Sequence, residues 1–390
     1  MLSWQGSDLL IYLNNAATSK AKPPEVLEAV HSFLKENDVS PGRGADALSL
    51  EADEILTQCR TSLSELFNAK PADNIVFTLN CSDAINTALK GFLKDGDHVL
   101  ISSIEHNSIA RPLRFLERIG VETETVPVMT PDYAITAEAL RERIKNNTRM
   151  IAVLHASNVI GSLQPLKEIG LLAKEKGLAF LVDAAQTAGI YDIDVQKMNI
   201  DLLAFAGHKG LMGPMGTGGL YIGARVKGIE PLRHGGTGTI SESETQPDSL
   251  PDRFETGTPN TPGIAGLLAS TKFILKNGTK NIRNHTKQLT AKLIEGLSKI
   301  KGVEVYGPND PEKQAAVVSF NIKGMDPSAV GEILEKKFGI IVRTGLHCSP
   351  LCHRTIGTFP KGTVRISAGY YNTEKDIEAA IKAVKEIVFK

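Results

Sequence analysis

The chain reads as an α/β protein, with a large, doubly wound, mostly parallel sheet followed by a smaller α+β domain. Two observations carry this expectation. From about Asp73, short runs rich in β-branched residues alternate with amphipathic stretches, and the runs are continuously apolar, as in strands covered on both faces. Beyond about residue 315 the order changes, and shorter strands are interleaved with two helices. A chain of 390 residues is also long for one compact core.

The elements follow in order. NIVFT (74–78) leads into SDAINTALKGFL (82–93), HVLISS (98–103) into SIARPLRFLERIG (108–120), and VETETVPV (121–128) into TAEALRERI (136–144). MIAVLH (150–155), PLKEIGLLAKEKG (165–177) and LAFLVD (178–183) continue the alternation. HGGTGTISESETQPDSL (234–250) is too polar and glycine-rich for either element and reads as a loop near a site or a mobile connection. Helical spacing returns in 262–278 and 286–300. Strand 315–322, helix 327–339, strands 340–345 and 363–367 and helix 373–390 complete the small domain.

Composition excludes several function classes. Lys+Arg and Asp+Glu both number 44, so no basic excess offers the field that phosphate backbones require, and a nucleic-acid partner is not expected. The start, MLSWQGSDLLIYLNN, has no basic segment and too short an apolar run for a leader or a membrane span. Four cysteines in such a length point to reduced thiols and a cytoplasmic protein instead of a disulfide framework.

Ligands on parallel sheets bind where the carboxyl ends of strands meet loops, and these ends collect polar residues. LNCSD follows the first strand with Cys81 and Ser82 at a helix start, where free N–H groups favour an anion. His106 follows the second strand, Asn158 follows MIAVLH, and Asp183 with Gln186 ends LAFLVD. His208 and Lys209 then stand among six glycines between 207 and 219. Each alone has an ordinary reading as a helix cap, a turn residue or a solvated lysine. Together, a lysine in a glycine-rich turn and an acid at a preceding strand end suit pyridoxal phosphate, with the lysine as Schiff-base former and the carboxylate on the pyridine nitrogen.

VDAAQTAG, DLLAFAGHKGLMGPMGTGGLYI, RFETGTPNTPG, RTGLHC and VRISAGYYNTEKDI, in that order, resemble the class V aminotransferase family. The resemblance is narrower to the cysteine desulfurases and selenocysteine lyases that carry the motif R-x-G-x-H-C, and it runs from YLNNAAT (12–18) to the C-terminal helix. It implies the type I fold of PLP-dependent transferases, with a PLP-binding domain over 15–262. A small domain of 1–14 and 263–390 would carry the nucleophilic cysteine. It implies Lys209 as the PLP lysine, Asp183 on the pyridine nitrogen, Gln186 facing the phenolic oxygen and His106 over the ring. Asn158 and Arg365 would hold the substrate carboxylate, while His208, Ser82 and the backbone at Cys81 would contact the phosphate. Thr258 would reach the phosphate of a second subunit, which implies a homodimer with shared sites.

Cys348 matches the nucleophile, which would take sulfur from L-cysteine as a persulfide, release L-alanine and hand the sulfur to an acceptor protein, such as a scaffold for iron–sulfur clusters. L-selenocysteine is the alternative substrate. His106 or His347 could supply the base that a thiol nucleophile needs. Two departures stand out: Ala206 replaces a frequent Ser or Thr, and Cys81 a frequent Thr. HCSPLCH also raises the question of Cys352, as a persulfide relay or a bystander. No metal is expected there, since four ligands this close are awkward to arrange tetrahedrally. An aminotransferase-type reaction or a non-catalytic binding protein of the same fold are the remaining alternatives, and neither would need Cys348.

Overall fold

The computed structural model describes residues 10–42 and 46–389. The reading of the first nine residues, as part of the N-terminal segment and of the small-domain boundary, lies outside the described residues. The strands are β1 (Ile11–Tyr12), β2 (Ile75–Thr78), β3 (His98–Ser102), β4 (Glu122–Val126), β5 (Thr148–Leu154), β6 (Ala179–Asp183), β7 (Leu202–Ala206), β8 (Gly218–Ile222), β9 (Val303–Tyr306), β10 (Val317–Ile322), β11 (Ile340–Ile341), β12 (Arg343–Gly345) and β13 (Thr363–Ser367). The helices are α1 (Pro24–Glu36), α2 (Ala47–Phe67), α3 (Cys81–Phe92), α4 (Asn107–Leu116), α5 (Ala137–Arg141), α6 (Leu166–Glu175), α7 (Thr261–Asn277), α8 (Thr279–Ser298), α9 (Pro327–Phe338), α10 (Pro350–Thr355) and α11 (Glu374–Val388). None of the helices described is long and apolar enough to cross a membrane.

Seven strands form the large sheet in the order β2-β8-β7-β6-β5-β3-β4. β7, β6, β5, β3 and β4 run parallel, while β8 lies antiparallel between β2 and β7. The strands read as continuous apolar runs because both faces are covered. In β6, Phe180 and Val182 enter one core and Ala179 and Leu181 the other. β7 divides likewise, with Leu203 and Phe205 on one side and Leu202, Ala204 and Ala206 on the other.

The smaller sheet has the order β12-β13-β10-β9 and shares a core with α8, α9 and α11. β1 pairs in parallel with β11, so the N-terminal strand joins this body. The single expected strand over 340–345 is therefore two: Ile340–Ile341 pairs with β1, and Arg343–Gly345 pairs with β13. Between Gly345 and Thr363, which face each other across that hairpin, the chain makes an excursion carrying Cys348 and α10. Its two ends approach closely, since a Cβ on Gly362 (φ 83°) would sit 2.2 Å from the Gly345 backbone.

The expected helix over 108–120 ends at Leu116 and tightens into a 3-10 turn before Gly120. β7, β8, β9, α1, α2 and α10 had no reading from the alternation. In α2 the buried positions include Ser49, Arg60, Ser62 and Ser64, which dilute the apolar stripe.

Arg60 is 6% exposed and holds Glu255 through both guanidinium arms, at 2.7 and 3.0 Å. The Phe77 backbone N–H also donates to Glu255. The pair ties the 253–260 segment to the β2 edge of the sheet. Removing one member of a buried pair leaves the other charge uncompensated. Arg60→Leu is therefore expected to cost about 3 kcal/mol, seen as a lower thermal midpoint. An unchanged midpoint would show that the pair is structurally idle.

Candidate active site

The carboxyl ends of β2, β3, β5, β6 and β7 lie along one edge of the sheet, as parallel order requires. There they surround a cavity of about 400 Å³. Lys209, His208, Asp183 and Gln186 line it from the β6 and β7 ends, and Cys81, Ser82, His106 and Asn158 from the other strands. Eight of the twelve candidate site residues singled out from the sequence are thus brought together in one chain.

Each is positioned by local structure. Asn80 caps α3 by accepting from the Asp83 N–H at 3.0 Å, which leaves Cys81 and Ser82 in the first turn with their N–H groups free of helical bonds. The Cys81 thiol donates to Asp183 Oδ1 at 3.3 Å, and the Ala185 N–H donates to the same oxygen at 2.8 Å. Burial and the Asp183 charge hold that thiol well above its ordinary range, so it stays a donor. His106 caps α4, its Nδ1 accepting from the Ser108 N–H at 3.0 Å. Burial lowers its pKa to about 4, so the ring is neutral at pH 7. The Lys209 ammonium is also pushed down, first by burial, with Asp183 opposing. His208 is lowered to about 4 by burial and by Lys209, and its Nδ1 is buried without a partner.

Arg365 and Cys348 adjoin this cavity through named contacts. Arg365 is fully buried and donates to the Asn158 carbonyl at 2.8 Å and to Asn14 Oδ1 at 3.0 Å. Its Nε has no partner, and no carboxylate among the described residues pairs with it. Burial and the neighbouring Arg343 lower it to about 9. Such an arrangement favours an anionic guest.

Of the four cysteines, Cys348 alone is exposed. His347 and Cys348 both take left-handed backbone angles, φ 48° and 60°. The turn is held by Asn158 Nδ2 donating to the His347 carbonyl at 2.6 Å and by the Asn107 N–H donating to the Cys348 carbonyl at 2.9 Å. Ser349 Oγ donates to the Glu105 carbonyl at 2.7 Å.

Two residues the sequence reading passed over belong here. Arg343, the first letter of R-x-G-x-H-C, places Nη2 3.2 Å from Cys348 Sγ. Glu105 is fully buried and accepts from the Leu154 N–H, tying the ends of β3 and β5 together. Burial raises it to about 8. Arg343 lay in a quoted motif and Glu105 beside His106, so position was visible but contact was not.

Three expectations sharpen. His347 is 2% exposed and its Nε2 is bonded to Thr363 Oγ1 at 3.0 Å, so of the two histidines offered as the base only His106 lines the cavity. Cys352 is fully buried among Ile104, Leu154, Val159 and Ile160, with its thiol pushed up to about 12 by burial. It packs as a core residue, and burial keeps its thiol protonated. Thr258 lines a separate hollow of about 290 Å³ with Gly216 and Arg233.

Residues 11–380 match the model of the family described as aminotransferase class-V. A probable cysteine desulfurase of Methanothermobacter thermautotrophicus is 38% identical over 383 residues, spanning 97% of this chain and 94% of that one. A cysteine desulfurase of Salmonella agona is 32% identical over 387 residues, covering 97% and 93%. Among solved structures, the apo cysteine desulfurase from Thermococcus onnurineus superposes with a TM-score of 0.89 at 34% identity, covering 97% and 95%. The Escherichia coli cysteine desulfurase in its S-sulfonic acid form gives 0.86 at 27%, covering 97% and 94%.

His106, His155, His208 and His353 are each held near 4 by burial, against about 6.5 when unfolded. Between these values the unfolded chain binds more protons, so the histidine contribution is full above pH 6.5 and is lost as pH falls toward 4. Glu105, raised to about 8, acts in the opposite sense between about 4.5 and 8, one group against four. The net expectation is a thermal midpoint that drops as pH falls from 6.5 toward 4. A midpoint unchanged from pH 7 to 5 would contradict the buried neutral rings.

Proposed function

From the premise that the chain belongs to the aminotransferase class-V family, we propose that its cavity binds pyridoxal 5'-phosphate at Lys209. The chain is a cysteine desulfurase, converting L-cysteine to L-alanine, and we place the departing sulfur on Cys348. The residues present suit that cofactor. Asp183 offers a carboxylate oriented by two donors, the first turn of α3 offers free N–H groups for a phosphate, and His208 carries an unpartnered buried nitrogen. Ala206 removes one hydroxyl from this cradle without removing those donors. When bound, pyridoxal phosphate supplies a ring that accepts the electrons left as the substrate's Cα–H bond breaks.

The chain's own groups divide the remaining tasks. Arg365, buried and without a carboxylate partner among the described residues, receives the α-carboxylate, while Asn158 Nδ2 is engaged on the His347 carbonyl and its free Oδ1 can only accept. Lys209, depressed by burial, has an amine able to take and return a proton at Cα. His106 is neutral and lines the cavity, and with Nδ1 accepting from Ser108 its Nε2 carries the proton, which it can give to sulfur. Cys348 attacks the substrate Sγ: a new S–S bond forms, the substrate C–S bond breaks, and the carbon is protonated to give alanine. Arg343 favours the anionic sulfur at both the start and the end of this step.

The observation that carries the assignment to Cys348 is its place, exposed on a turn bonded to the α4 start beside His106, with a guanidinium on its sulfur. Thr258, in its separate hollow, supports a phosphate contact to a second copy of the chain and hence a homodimer.

Cys348→Ala is expected to lower alanine formation from L-cysteine by about a hundredfold or more, with the bound-cofactor absorbance retained. Cys352→Ala should leave the rate within about twofold, because removing a core thiol affects packing and not the nucleophile. Undiminished alanine from Cys348→Ala would overturn the persulfide assignment.

A further inference from the structure

The segments that flank Cys348 carry cations that no carboxylate among the described residues neutralises. The excursion from Leu346 to Gly362 contains no Asp or Glu, and neither does α4, which begins at the residue bonded to the Cys348 carbonyl. Both segments expose basic residues: Arg354 and Lys361 on the excursion, and Arg111 one turn beyond Asn107 on α4. Arg114 on the same helix is paired with Glu117. No carboxylate among the described residues lies within ion-pair distance of Arg111, Arg354 or Lys361. The chain as a whole is balanced at 44 basic and 44 acidic residues, so unpaired cations on the two segments that hold the Cys348 turn are a local feature.

The excursion also presents an aromatic anchor. α10 turns Cys352 and His353 inward, while Leu351 and Arg354, three residues apart, lie on its other side. Leu351 is half-buried and Arg354 is exposed. The Arg354 guanidinium lies 4.6 Å from the centre of the Phe359 ring, which is 43% exposed. Arginine and aromatic side chains of this kind are over-represented at protein interfaces.

We propose that this rim, formed by Arg354, Phe359 and Lys361 with Arg111 flanking, is the docking surface for a sulfur-acceptor protein whose own thiol sits in an acidic patch. The inference rests on the persulfide reading of Cys348. Charge complementarity selects the partner: an acidic surface is drawn to the unpaired cations, and its apolar spot covers Phe359. In the transfer, the acceptor thiolate attacks the outer sulfur of the Cys348 persulfide. The S–S bond to Cys348 breaks as a new S–S bond forms on the acceptor, and Cys348 leaves as a thiolate beside Arg343. The exchange needs no external oxidant or reductant.

The test loads the holoenzyme with sulfur from L-cysteine and follows discharge of the persulfide by two thiol peptides, one with cysteine flanked by aspartates and one flanked by lysines. The same ratio of rates is measured in an Arg354→Glu/Lys361→Glu variant, which cancels the intrinsic reactivity of each peptide. Alanine formation with dithiothreitol as acceptor checks that the variant is folded and active, and a neutral Arg354→Gln/Lys361→Gln pair replaces it where charge reversal disturbs folding.

At low ionic strength the wild type should favour the aspartate peptide by about tenfold relative to the variant, and added salt should erase the difference. Equal ratios in wild type and variant would overturn the docking surface alone. Absence of any persulfide on the wild type would overturn the underlying desulfurase assignment to Cys348, and this inference with it.

Discussion

The strained turn at His347 and Cys348 is the constraint on which the rest of the site depends. Two consecutive residues with side chains hold left-handed backbone angles, at a cost of about 1–2 kcal/mol each. They are kept there by bonds from three directions: Asn158 to the His347 carbonyl, Asn107 to the Cys348 carbonyl and Ser349 to the Glu105 carbonyl. All three partners lie on segments that follow strands β3 and β5 of the large sheet, whereas the turn itself springs from the small one. The reactive sulfur is thus carried by one body and registered against the other. Strain of this sort persists only where the surroundings over-determine it, and it recurs at functional sites.

Electrostatics reinforce the same geometry. Arg365 and Lys209 are held in buried positions with their charged forms disfavoured, and Asp183 is the carboxylate placed among them. A cavity with a surplus of uncompensated donors is prepared for anions, and a phosphate and an amino-acid carboxylate would supply the missing charge. The histidines are neutral by the same burial, which frees His106 for proton transfer instead of adding another cation.

Much of this was legible from residue order, for a physical reason. Strands buried on both faces leave continuous apolar runs, and β3 and β6 were found within a residue of their observed ends, β5 within two. Functional residues on a parallel sheet must follow strand ends, so Asn158, Asp183 and Lys209 could be picked out by position. What stayed hidden were relations between distant segments. Arg343 on the Cys348 sulfur, Arg365 on the Asn158 carbonyl and Cys81 on Asp183 are contacts between side chains whose separation in sequence says nothing of their distance. The pairing of Cys348 with Cys352 was misleading in the same way. Four residues apart, they face opposite sides of the helix start, one to solvent and one into a hydrophobic core.

The account stands on sulfur reaching Cys348 in particular. The most direct test incubates the pyridoxal-phosphate-loaded protein with L-cysteine without air, traps thiols and persulfides by alkylation, and maps sulfur by peptide mass spectrometry. The account predicts one extra sulfur atom on Cys348 and none on Cys59, Cys81 or Cys352. Sulfur on Cys352, or on no cysteine while alanine still forms, would contradict it.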